Sequence, residues 1–139
     1  MLWMSSVAML LALTVGSFSP RSQRLGAAAL NGTWVVISVN GRTSESASGL
    51  AITFAGARYE EAVNGTVNER GTITVNPDTN PMTIDFTITE GVAQNKTQLG
   101  IFSVTGETVT FCLAAAGATV RPADFTSARD HLLIIAKKQ

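Results

Sequence analysis

After Asn31 the chain is a succession of short β-type runs, each closed by a turn signal, with no long helical pattern between them. Few folds accommodate that rhythm. Roughly eight such runs joined in sequence predict one antiparallel up-and-down barrel, because closure removes the two free edges an open sheet would leave. Side chains alternate between the faces of a strand, so the inner set can be read directly. Trp34, Val36 and Ser38 share one face of a first strand over 33–39, ended by Asn40-Gly41, a dipeptide that tolerates the positive φ of a tight turn. Residues 42–48 are small and polar and read as a loop.

Leu50, Ile52 and Phe54 form the second inner face, and Tyr59 to Val63 the third strand, closed by Asn64-Gly65. Val67 to Val75 is the fourth strand. Gly71 inside it marks a bulge or sharp bend. After the Asn76–Pro81 loop, Met82, Ile84, Phe86 and Ile88 alternate with Thr83, Asp85, Thr87 and Thr89. Gln98 to Val104 and Thr108 to Ala114 follow, with Phe102, Val104, Val109, Phe111 and Leu113 directed inward. A long connection over 115–130 leads to His131–Lys137, which is apolar on both faces. That strand needs cover on both sides, and the long connection is the segment available to supply it from outside.

A chain of 139 residues holds one domain. Ten basic residues balance ten acidic ones, and loss of a segment containing Arg21 and Arg24 would leave eight against ten. Neither balance provides the positive field that a phosphate backbone requires, so no nucleic-acid partner is expected. Charged residues make up only 14% of the chain, below the quarter usual for soluble domains, and Thr and Ser take the outward positions instead. Cys112 is the only cysteine and His131 the only histidine. An internal disulfide is ruled out, a thiolate or multi-histidine metal site is unsupported, and no cofactor is implied.

Met1 to Gly16 is almost continuously apolar, too short for a comfortable membrane span of about 20 residues and of the length of a secretory signal core. Small residues at Ser17, Ser19 and Ala27–Ala29 offer two cleavage regions. Arg21 and Arg24 follow the apolar run and none precedes it, a bias that favours keeping the downstream side cytoplasmic and counts against export. Residues 1–29 are therefore expected to be a signal peptide or N-terminal anchor. Residues 30–139 are expected to be the barrel domain, exported to the periplasm, envelope or medium, with membrane contact only through an uncleaved N-terminus. No cysteine lies near the cleavage regions to carry a lipid.

Gly32-Thr33-Trp34 fits the Gly-x-Trp that opens the first strand of lipocalins. The wider text resembles a family of uncharacterised lipocalin-like domains abundant in planctomycetes and related bacteria. The resemblance runs through Leu30–Trp34, Leu50–Phe54 with Tyr59, Gly71-Thr72, Asn76-Pro77, Pro81, Ile84-Asp85 and Thr89–Gly91. It continues through Leu99–Phe102, Phe111-Cys112, Arg121–Phe125 and Leu132–Lys138, nearly all of 30–138. It implies a lipocalin-like barrel and, for many members, export. It implies no activity. Two departures stand out: Glu61 where the family often has Val, and Val35 where it often has Lys or another polar residue. Resemblance to lipocalin closing strands also implies that Lys137 lies over the Trp34 ring as a structural cation–π contact.

The candidate ligand contacts are the inner-face residues Trp34, Phe54, Tyr59, Glu61, Phe86, Phe102 and Phe111, with Gly32, Arg121 and Lys137 as structural residues. Each has a plainer alternative. Trp34 is also the natural plug of one barrel end. Glu61 sits either at an open strand end or inside a pocket, where burial would raise its pKa. Arg121 suits bonds to carbonyls or to Asp85 or Asp124. Cys112 reads as a small packed residue. Glu60 and Glu61 point to opposite faces and cannot share a substrate. No Ser-His-Asp arrangement surrounds His131, and no enzyme is expected. Only a convergent acid–base pair in the barrel mouth would revive catalysis. Two functions stay open: binding a small apolar or amphipathic ligand, or contacting a protein through loops and the apolar outer positions Val35 and Ile37. A cavity above roughly 300 Å³ would favour the first, and an exposed apolar patch the second.

Overall fold

A computed structural model describes residues 26–43, 49–126 and 129–139. The strands are β1 (Gly32–Val39), β2 (Arg42–Thr43), β3 (Leu50–Ala55), β4 (Arg58–Val63) and β5 (Thr66–Asn76), then β6 (Met82–Glu90), β7 (Thr97–Thr105), β8 (Thr108–Ala114) and β9 (His131–Lys138). Every long strand pairs antiparallel with the next, and β9 returns to β1, closing eight strands into a barrel with β2 as a short addition to β1. The expected up-and-down architecture is present. The 42–48 loop differs at its start: Asn40 and Gly41 both take positive φ, so the hairpin continues and Arg42-Thr43 pairs with Val39 and Ser38.

One residue on the first strand changes face relative to the simple alternation. Val36 pairs with Ala136 but Ser38 pairs with Ile135, so Ile37 is an extra residue in β1. Beyond it, Val39 opposes the core residue Ile134 and packs on the core. Ser38, expected beside Trp34 and Val36, is buried but opposes Ile135 instead. Gly71 stands where the β5–β6 register shifts, as its position suggested. A Cβ there would run into the Thr87 carbonyl and the Tyr59 ring, so no side chain fits.

Among the described residues the barrel has a closed end and a more open end. At the closed end the helical residues 26–28 lead into a turn that packs Ala27 and Leu30 into the core, and the Trp34 Nε1–H donates to the Leu30 carbonyl at 2.7 Å. Phe54, Phe102 and Phe111 fill the middle. Their rings lie 6.1 Å apart in the Phe54–Phe111 and Phe102–Phe111 pairs. The long connection supplies outer cover: the Cys112 thiol, fully buried, donates to the Thr126 carbonyl at 3.6 Å. Arg121 clamps this connection to the wall. It donates to the carbonyls of Gly100 (2.8 Å) and Ile84 (3.2 Å) and pairs with Asp85 at 2.7 Å.

Candidate functional site

The inward residues near the open end do not fill it. A cavity of about 200 Å³ remains there. Ile52, Leu113, Leu132 and Ile134 form its aliphatic wall, Tyr59 and Phe86 its aromatic wall, and Glu61, Glu69 and Gln98 its polar side. The cavity shares Gln98, Leu113 and Leu132 with a more open hollow of about 350 Å³ that reaches Asn40 and Arg129–His131 on the rim. The enclosed space alone is smaller than roughly 300 Å³, the lower end of ordinary ligand pockets. Among the described residues the closed half of the barrel is packed by Trp34 and the phenylalanines, and this cavity lies near the mouth.

Of the predicted ligand contacts, Tyr59, Glu61 and Phe86 line this cavity. Trp34, Phe54, Phe102 and Phe111 do not; they are almost wholly buried in the packing beneath. Trp34 is the end plug. Its cation is Lys138 rather than Lys137: the Lys138 Nζ stands 5.6 Å from the ring centroid. Ile134 and Ala136 are core residues, so Lys138 shares their inward phase and Lys137 points outward. Gly32 makes room for it, since a Cβ there would lie 3.1 Å from Lys138 Cε.

Glu69, Gln98 and Leu132 join the site without having been singled out from the sequence as ligand contacts. Glu69 is the consequential one. β4 and β5 pair Val63 with Thr66 and Ala62 with Val67, but then Glu61 with Glu69, so Asn68 is an extra residue in β5. The bulge puts two carboxylates opposite each other on the inner face. Glu60, on the outer face, instead opposes Arg70, which bonds it at 3.0 Å and Glu90 at 3.0 Å.

The phenol of Tyr59 donates to Glu69 Oε1 at 2.8 Å. Burial, then the carboxylate beside it, pushes the Tyr59 pKa far up, so it remains a donor at any ordinary pH. Burial and then the Glu69 charge raise the pKa of Glu61 above its ordinary value, partly offset by a long contact at 3.5 Å from Asn68 Nδ2. Gln98 is fixed by donating Nε2–H to the Ala114 carbonyl at 2.9 Å. The resulting site has an apolar body and one strongly acidic side, with no Lys or Arg among the described residues that line it. Among the described residues no group of three or more His, Cys, Asp or Glu is placed to hold a metal ion.

Comparison with protein-family models, curated proteins and solved structures returns no match to this chain.

Proposed function

We propose that this is an exported, lipocalin-like barrel that binds one small amphipathic molecule at its open end. The cavity between Tyr59, Glu61, Glu69 and Phe86 carries the reading: it is lined by aliphatic and aromatic walls with polar groups gathered on one side. Its size argues for a compact ligand and against a long acyl chain. The closed end, filled by Trp34 and the phenylalanines, leaves no tunnel for a tail. Membership of the lipocalin-like planctomycete family is part of the same proposal, supported by the barrel topology and by Gly32 and Trp34 at the closed end.

Export is supported by the apolar run of 1–16, which lies outside the described residues. Ala27 belongs to the core, which favours processing upstream, near Ser17–Ser19, over cleavage at Ala27–Ala29.

Glu61 and Glu69 are also a convergent pair of acids in the barrel mouth, the arrangement acid–base chemistry would use. Binding is the stronger reading, because one oxygen of Glu69 is already engaged by Tyr59. A role in protein contact draws on different residues. Val35 and Ile37 are each 37% exposed on the outer wall, and Val92 and Val120 stand out on open-end loops.

Native mass spectrometry of the full chain purified from its producing cells tests the binding reading. A small molecule retained by the wild type and absent after Leu132→Trp, which fills the cavity, is expected. Bare wild-type protein that takes up nothing from a panel of small amphipathic compounds would overturn it.

A further inference from the structure

The chemistry of the cavity narrows the ligand class, an inference that rests on the binding reading above. Like charges directly opposite on paired strands repel, and partial burial makes that costlier. On the outer wall Arg70 pairs with Glu60 and Glu90, and Arg121 with Asp85. Among the described residues the donors to Glu61 and Glu69 inside the cavity are neutral, Tyr59 and the distant Asn68 amide. The groups facing Glu61 are Glu69 and Asn68 from β5, Tyr59 from its own strand and Gln98 from β7. None of them is a base that could carry positive charge. Opposite the acids, the walls are aliphatic and aromatic.

We propose that the cavity takes a compact organic ammonium ion, its charged head between Glu61 and Glu69 and its ring or branched body against Phe86, Leu113 and Leu132. The ammonium supplies the hydrogen-bond donors that the two carboxylates lack. Phe86 stands 4.9 Å from Tyr59, edge to face, and offers an aromatic surface beside the acids. The ammonium also removes the repulsion across the strand pair. A neutral or anionic isostere of the same shape would leave that repulsion in place or add to it, so the site discriminates by charge more than by shape.

Isothermal titration calorimetry on the full chain near neutral pH tests the assignment, with cyclohexylammonium and benzylammonium as probes against cyclohexanol, benzyl alcohol and cyclohexanecarboxylate. Saturable 1:1 binding of the ammonium ions is expected, with the alcohols at least about tenfold weaker and the carboxylate not binding. Glu61→Gln and Glu69→Gln should each weaken ammonium binding about tenfold and bring the alcohols level with it. Wild-type titrations at successively lower pH add a readout independent of the variants' folding. Ammonium binding is expected to weaken as pH falls, because the proton and the cation compete for Glu61, while binding of the alcohols stays level. Alcohols that bind as tightly as the ammonium ions would overturn the charge assignment and leave a ligand-binding barrel. Failure of every probe to bind would overturn the ammonium assignment, and a bare protein by native mass spectrometry would remove the binding reading as well.

Discussion

The ammonium of Lys138 lies over Trp34 at the closed end of the barrel, 5.6 Å from the ring centroid, so the last strand and the first are joined through side chains as well as backbone. Replacing Lys138 with Gln should lower stability by about 0.5–1 kcal/mol, the usual size of an exposed cation–π contact. Lys137→Gln should stay within about 0.5 kcal/mol of wild type, since its side chain faces outward. Parallel urea titrations of the two variants measure the difference, and equal losses would refute the placement.

Gly71 has no room for a side chain. Its Cβ would strike the Thr87 backbone carbonyl, which cannot move without breaking the β5–β6 ladder, and the ring of Tyr59. Gly71→Ala is expected to cost about 1–3 kcal/mol through overpacking. Thermal unfolding followed by circular dichroism would register it. Because Tyr59 lines the cavity, ammonium binding at the proposed site should weaken in the same variant.

The acid pair gives stability a pH dependence of known sign. Burial and the neighbouring Glu69 raise Glu61 above its ordinary 4.5 in the folded protein. The native state therefore holds a proton that the unfolded state has released, and stability must fall as pH rises through that window. The contribution of Glu61 is fully present below 4.5 and is lost as pH passes the raised value. Melting temperatures measured across this range should show the wild type losing ground to Glu61→Gln as pH rises. Parallel curves would refute the shift.

Arg121 and Cys112 make a linked prediction. Burial, then the charge of Asp124, pushes the Cys112 thiol up, and the connection holding Thr126 covers it. Wild-type protein should react with Ellman's reagent only as fast as it opens. Arg121→Met removes the clamp on the Gly100 and Ile84 carbonyls and the pair with Asp85. A loss of about 1.5–3 kcal/mol and faster Cys112 labelling are expected together. Labelling unchanged in Arg121→Met would mean that the connection is held down by other contacts.

The strands could be read from the sequence because each buries one face, so that Met82, Ile84, Phe86 and Ile88 stand out against the threonines and Asp85 between them. The turns could be read because Asn40-Gly41 and Asn64-Gly65 are suited to the positive φ both pairs adopt. The errors arose where phase is invisible. Leu132 to Ile135 are apolar without alternation, so nothing in the sequence says whether Lys137 or Lys138 follows the inner face. Ile37 and Asn68 are extra residues that only the pairing reveals, and each changes which neighbours share a face. The candidate site suffered most, because continuing the tight hairpin register from Val63–Thr66 without interruption would set Glu61 against Asn68 and hide Glu69 from the cavity.

The bulge at Asn68 has a consequence for how permanent the acidic wall is. Glu69, Gly71, Ile73 and Val75 share one phase of β5, and Ile73 and Val75 are core residues. A one-residue slip that turned Glu69 out to water would carry both aliphatic side chains out with it. The carboxylate is therefore anchored by hydrophobic residues two and three pleat repeats away, and its inward position is set by the folding of β5. The proposed site is thus preorganised, and a cation taken up there would not have to offset the cost of turning the charge inward.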